Sequence, residues 1–186
     1  MKRNFVFAAA LSLLVFAISA SAQKTTDFSG KWTLDKEKST LSEREKTSIE
    51  SQTLTVTQTA ADIKIEPATK RMAPPAGAPT GGGGGGMGRG GGMGGGDMTM
   101  TYALGKETTV EQQMGPNTVP VTLGSKWDGS KLVLNRSSTF NGPNGEVKNT
   151  SKETWELSAD GKTLTIHAER TGMQGTTTST KIFTKS

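Results

Sequence analysis

The sequence predicts an all-β fold, an up-and-down antiparallel β-barrel of about ten strands. Three observations carry that prediction. Short runs alternate apolar and polar residues with a period of two, as at Leu54 and Val56, at Val119, Val121 and Leu123, at Leu132 and Leu134, and at Leu164 and Ile166. Turn signals separate these runs at hairpin spacing, above all Asp128-Gly129 and Asp160-Gly161. Outside one insertion the connections are short, with no long crossover and no βαβ spacing, so each strand pairs with its neighbour in sequence and a ring hides the edges.

The chain opens with Lys2 and Arg3, an apolar run from Phe5 to Ile18, and Ala20-Ser21-Ala22. This is the pattern of a secretory signal peptide, too short and wrongly flanked for a membrane anchor. Cleavage is expected after Ala22, leaving residues 23–186 as one domain in the periplasm or secreted medium. With no cysteine in the chain, neither a lipid-modified N-terminal cysteine nor a disulfide is available, and the core alone must hold the fold. Subtracting Lys2 and Arg3 from the 22 basic residues leaves 20 against 17 acidic ones. A scattered excess of that size is too little to argue for a nucleic-acid partner. Hydrophobic residues are 32% of the whole chain, signal included, so the core is expected to be thin.

After a polar lead-in, the first strand is expected over residues 28–34. Residues 39–51 remain open between a two-turn helix, a bend and a bulge. Ser42 with Glu45, or Thr40 with Glu43, offers a capping box, and Ile49 is out of phase with Leu54 and Val56. Residues 53–57 and 63–66 form a hairpin about Ala60-Ala61-Asp62, closed off by Pro67. Residues 72–98 then break the pattern with Pro74, Pro75, Pro79 and three glycine runs. Such a composition cannot bury a core, and a disordered Gly/Pro/Met-rich loop inserted between two strands is expected there.

Strands resume at residues 99–104, turn at Gly105-Lys106 and return through residues 108–113. The next runs are 119–127, 131–140, 146–157, 162–170 and 176–185, each divided from the next by a glycine-containing turn. Two hairpins echo one another. Trp127-Asp128-Gly129-Ser130-Lys131-Leu132 and Trp155 to Leu164 each set a tryptophan before an Asp-Gly turn and a lysine-led alternating strand after it.

Phe28-Ser29-Gly30-Lys31-Trp32-Thr33-Leu34 resembles the opening signature of the calycins, the lipocalins and fatty-acid-binding proteins. With Lys126-Trp127-Asp128-Gly129 and the run from Glu153 to Thr165, the ensemble is similar to small exported bacterial lipocalin-like proteins. That family carries no known reaction. The resemblance implies a calycin-like barrel in which Phe28, Gly30 and Trp32 are structural. In the fatty-acid-binding branch an arginine and a tyrosine on the last strand hold the ligand carboxylate; the matching positions here are Lys181 and Phe183, without the bidentate fork or the hydroxyl. In the lipocalin branch the tryptophan packs against a late basic residue, a place for Arg170 or Lys181.

No catalytic residue emerges. His167, the one histidine, alternates onto a polar face with Thr165 and Glu169 and reads as solvated. No nucleophile-elbow motif is present. With no cysteine, no second histidine and no calcium-loop spacing, no metal site or cofactor is expected. The methionines of the insertion are thioethers of the kind Cu(I) accepts, but in a glycine tract they read as incidental. Arg89 stands alone, unlike the repeated arginines of RNA-binding segments.

Arg136 shares a face with Leu132 and Leu134, where an inward basic residue would anchor an anionic head group or lay its stem over apolar surface. Trp127 and Trp155 either pack the barrel or offer flat walls to a ligand. The expectation is a non-enzymatic binding protein holding a small, largely apolar ligand through Trp127, Arg136 and Trp155. The alternative is a structural or protein-interaction module using the insertion or the outer face. No nucleic acid and no stable membrane anchor are expected.

Overall fold

Each alternating run forms a strand, and the strands follow one another around a ring. The computed structural model describes residues 26–73, 97–114, 117–142, 145–173 and 175–186. The expected signal peptide and the body of the glycine-rich insertion fall outside them. The elements are β1 Gly30–Thr40, α1 Glu43–Ser48, β2 Ile49–Gln58, β3 Asp62–Arg71, β4 Met100–Ala103, β5 Glu107–Met114, β6 Asn117–Asp128, β7 Lys131–Gly142, β8 Gly145–Leu157, β9 Thr163–Gly172 and β10 Gly175–Lys185. The sheet order is β4-β3-β2-β1-β10-β9-β8-β7-β6-β5. All neighbours are antiparallel. First and last strands pair, so the meander curls into a nearly closed up-and-down barrel of ten antiparallel strands, the architecture expected.

Three local readings change, and one left open is settled. The ring is not fully closed: the chain turns at Gly105 as expected, but β4 and β5 diverge instead of pairing and become the two edges of the sheet. The first strand runs on to Thr40 through an irregularity between Asp35 and Thr40. There the Ser39 hydroxyl donates to the Asp35 carbonyl and accepts the Ile182 N–H, replacing ladder bonds. The ambiguous segment is a six-residue helix capped by Ser42, with Glu45 completing the capping box. Pro67 does not end its strand; it pairs with Leu54 inside β3. Since β4 pairs only with Asp62 to Ile65, β3 has an open edge beyond Ile65, where a missing N–H is tolerated.

The inward faces sort by height. At one end lie Phe28, Trp32, Leu132, Trp155, Leu164 and Phe183, all at most 1% exposed. Phe28 stacks on Trp127 at 6.1 Å and meets Trp155 edge-on at 5.9 Å. Fully burying an aromatic or large aliphatic side chain contributes roughly 1.5–3 kcal/mol, which is how a cysteine-free chain holds its barrel. This aromatic end carries the tight turns, including Gly129 and Gly161 at φ 61° and 67°. Farther along the same strands the inward positions turn polar: Leu134 gives way to Arg136, Trp155 to Glu153 and Ser151, Ala168 to Arg170, Phe183 to Lys181, and Leu54 to Gln52. Helix α1 joins β1 to β2 at this polar end. The chain also leaves β3 there, with the Met72 N–H donating to the Ser48 carbonyl at 3.0 Å. No helix among the described residues is long and apolar enough to cross a membrane.

Candidate functional site

Where the two halves of the interior meet, a cavity of about 120 Å³ remains. Leu54, Ile65, Met100, Trp155 and Ile166 form its apolar wall; Gln52, Tyr102, Arg136, Glu153, Arg170 and Lys181 form its polar one. Period-two alternation puts most of these residues here: β2, β4, β8 and β9 each contribute an apolar residue and, two or four positions away, a polar one, as in Leu54 and Gln52, Met100 and Tyr102, Trp155 and Glu153, and Ile166 and Arg170.

The polar wall is a set of charge pairs with one member left over. Arg170 lies 3.4 Å from Glu153. The other Glu153 oxygen accepts the Trp155 indole N–H at 3.1 Å. Lys181 lies 3.0 Å from Glu45 of α1 and donates to the Gln52 side-chain oxygen at 3.2 Å. Gln52 in turn donates to the Thr69 hydroxyl. Among the described residues Arg136 has no carboxylate partner of this kind. Its Nη2 donates to the neutral Gln112 Oε1 at 2.6 Å, and its Nε is buried with no hydrogen-bond partner. A buried guanidinium N–H without an acceptor is costly, and the side chain that carries it lines the cavity.

Burial is the main influence on the ionisation of this wall. It pushes the Tyr102 hydroxyl well up, with the Glu153 charge adding to the effect, so the phenol stays protonated. Burial also pulls Arg136 below its ordinary value, and the Arg170 charge adds to this against opposing contributions from Tyr102 and Glu153. For Glu45, burial pushes upward, but attraction to Lys181 and the hydrogen bonds from Ser42 prevail, and its carboxyl titrates below the ordinary value.

The open seam between β4 and β5 borders this wall. Gln112, which holds Arg136, points its amide N–H at the sulfurs of Met98 and Met100, the latter at 3.9 Å. Side chains, not main-chain bonds, close the barrel there. A larger depression of about 240 Å³ lies over the outer face of β5 to β9, where Gly124 leaves a gap. Its side chains are mostly solvated threonine, serine, lysine and glutamate, without the apolar wall a small-molecule site needs.

Of the residues singled out in the sequence, Arg136 and Trp155 meet at the cavity. Trp127 is absent from its lining; it stacks on Phe28 at the closed end. Trp32 is fully buried, its indole N–H donating to the Phe28 carbonyl at 2.9 Å. The basic residue against Trp32 is Lys185, at 5.1 Å from the ring centroid, and not Arg170 or Lys181, whose side chains belong to the cavity. Phe183 is core. His167 is exposed and bonds to Thr180 across the strands. Tyr102, Glu153, Arg170, Gln112 and Glu45 were missed as site residues. Alternation applied to Trp155 and Ala168, as it was to Leu134, would have found Glu153 and Arg170; nothing local announces Glu45 or Gln112. Among the described residues no group of three or more histidine, cysteine, aspartate or glutamate side chains is placed to hold a metal ion.

No protein-family profile matches the chain, and no curated protein matches it. Among solved structures, the chain is similar to the zebrafish ileal bile acid-binding protein in complex with cholic acid, with a TM-score of 0.46 and 17% identity over 86% of this chain and 98% of that one. It is similar at the same TM-score to secretory abundant heat soluble protein 4 from Ramazzottius varieornatus, with 13% identity over 87% of this chain and 97% of that one.

Proposed function

We propose that this chain is an exported, non-enzymatic binding protein that holds a small, largely apolar molecule inside its barrel, with an anionic group of that molecule on Arg136. One observation carries the reading: Arg136 lines an interior cavity, its Nε has no partner, and its neighbouring cations Arg170 and Lys181 each already have a carboxylate. A ligand anion supplies the missing acceptor, and Leu54, Trp155 and Ile166 receive the apolar part. Export rests on the charged, apolar and small-residue pattern of residues 1–22.

Native mass spectrometry of the protein as it accumulates in the producing cell, purified without detergent, tests this. The expected result is an added mass that disappears on denaturation and is lost in a folded Arg136→Met variant. A clean mass with no uptake from a lipid extract overturns the reading.

A second reading is favoured by the size of the cavity. At about 120 Å³ it falls below the roughly 300–1,000 Å³ usual for small-molecule sites, as suits a solid scaffold whose insertion or outer face meets a protein partner. Replacing residues 74–96 with a short linker separates the two. Ligand capture survives that deletion, whereas an interaction carried by the insertion does not.

A further inference from the structure

We infer that α1 is a latch on the cavity: Glu45 neutralises the interior cation Lys181, and a ligand's anionic group competes it away and frees the helix. This rests on the binding reading above and adds how that site is regulated.

One carboxylate performs two tasks. Glu45 Oε2 accepts from the Ser42 backbone N–H at 3.1 Å and from its hydroxyl at 2.8 Å, while Oε1 lies 3.0 Å from Lys181 Nζ. The same side chain therefore caps α1 and ties it to the barrel interior. The pair is largely dry, with side-chain exposures of 13% for Lys181 and 21% for Glu45. The other ion pairs of α1 and β1, Lys46 with Glu43 and Lys38 with Asp35, are more exposed and contribute little.

The two interior carboxylates differ in mobility. Glu153 is part of β8, hydrogen-bonded into the sheet on both sides. Glu45 sits on a helix of six residues outside the sheet. A helix that short has almost no stability of its own in water, so its position depends on its ties. Those ties include Leu41 and Ile49 buried at its two ends, the Lys36 ammonium donating to the Ile49 carbonyl, the Met72–Ser48 bond, and the Glu45–Lys181 pair.

Lys181 and Arg136 line the same small cavity. An anion held on Arg136 in that cavity also attracts Lys181 and repels Glu45. Binding then turns Lys181 from Glu45 toward the ligand's anionic group. The latch lowers affinity for anions, has no comparable effect on uncharged ligands, and makes α1 looser in the occupied protein than in the empty one. A passive lid does the opposite, because a ligand packed beneath it makes it tighter.

Octanoate and octan-1-ol, titrated calorimetrically into the purified protein, are the probes. Glu45→Gln is the informative variant because glutamine at this position still completes a capping box, so α1 remains formed. It is expected to bind octanoate about tenfold more tightly than the wild type, which is the loss of one charge-assisted competitor. It binds octanol unchanged, and a Glu45→Gln/Lys181→Met double variant loses the gain. Hydrogen–deuterium exchange over residues 43–48 speeds up when the wild type takes octanoate. If the wild type binds octanoate but Glu45→Gln binds it no better, or α1 exchanges more slowly when occupied, the latch is wrong and the binding reading stands. If none of the three proteins takes up octanoate, both fall.

Discussion

Lys185 near the end of the last strand lies over the indole of Trp32 on the first, its Nζ 5.1 Å from the ring centroid, and it passes directly beside Gly30. A β-carbon at Gly30 would come within 2.8 Å of Lys185 Cε, and the Gly30 backbone has φ +141°. The glycine two residues before the tryptophan thus has a physical reason: its backbone conformation is one that L side chains rarely adopt, and it also leaves room for a cation to close over the ring where the first and last strands meet.

Gly30→Ala is therefore expected to destabilise the protein by about 1–3 kcal/mol, read as a lower urea midpoint with an unchanged slope. The end of a lysine side chain moves easily, so backbone strain is the larger part. A Gly30→Ala/Lys185→Met double variant should recover little of the loss.

Trp155 is a structural residue that also touches the cavity. It is 1% exposed and packs edge-on against Phe28. Trp155→Ala should cost about 3–5 kcal/mol, enough to confuse lost binding with lost folding. Trp155→Phe keeps most of the packing and leaves Glu153 Oε2 without its indole donor. It is the variant in which a change in ligand affinity reports on the site, provided circular dichroism and thermal midpoint show a folded barrel.

Arg136→Met should separate stability from function. Removing a half-buried cation that lacks a carboxylate and filling the space with a similar apolar volume is often neutral or stabilising. The expected thermal midpoint is equal to or above the wild type, with a gain of up to about 1 kcal/mol, while binding of an anionic ligand is lost. A large fall in stability would show that Arg136 holds the wall together.

The Glu45 tie should be visible in the pH dependence of stability. Its folded-state pKa is lowered: burial works against this, but Lys181 and Ser42 prevail. A carboxyl more acidic in the folded than in the unfolded state stabilises the fold above its unfolded pKa and loses that contribution as pH falls through the folded value. Wild type should exceed Glu45→Gln by about 1 kcal/mol near pH 7, a difference that fades below about pH 4.5 and vanishes at lower pH. Denaturant titrations at several pH values read this directly; a constant difference would place the effect outside the ionisation of Glu45.

The barrel was largely legible because strands announce themselves locally. Leu132 and Leu134, and Leu164 and Ile166, alternate just after an Asp-Gly turn, Leu54 and Val56 just before the turn at Ala60-Ala61-Asp62, and short connections leave adjacent antiparallel pairing as the economical topology. The capping box at Ser42 and Glu45 was legible for the same reason: it is a contact between residues three apart. Strand ends were read less well. Alternation marks where side chains are buried, whereas main-chain pairing carries β1 on to Thr40 and β3 through Pro67 to Arg71.

The site was legible only in part. Arg136 stood out because it follows two leucines on one face. Its significance depends on Gln112, Glu153, Arg170 and Tyr102, which come from four other strands. Local sequence, through period-two patterning and turn chemistry, determined that this chain is a β meander, where its hairpins turn and which way Arg136 faces. Only the tertiary structure decided that β4 and β5 part, that Lys185 and not Arg170 or Lys181 covers Trp32, and that Arg136 alone among the cations of the cavity wall has no carboxylate partner. Those outcomes depend on how strands far apart in sequence are staggered around the ring, and on which charges that stagger brings within a few ångströms of one another.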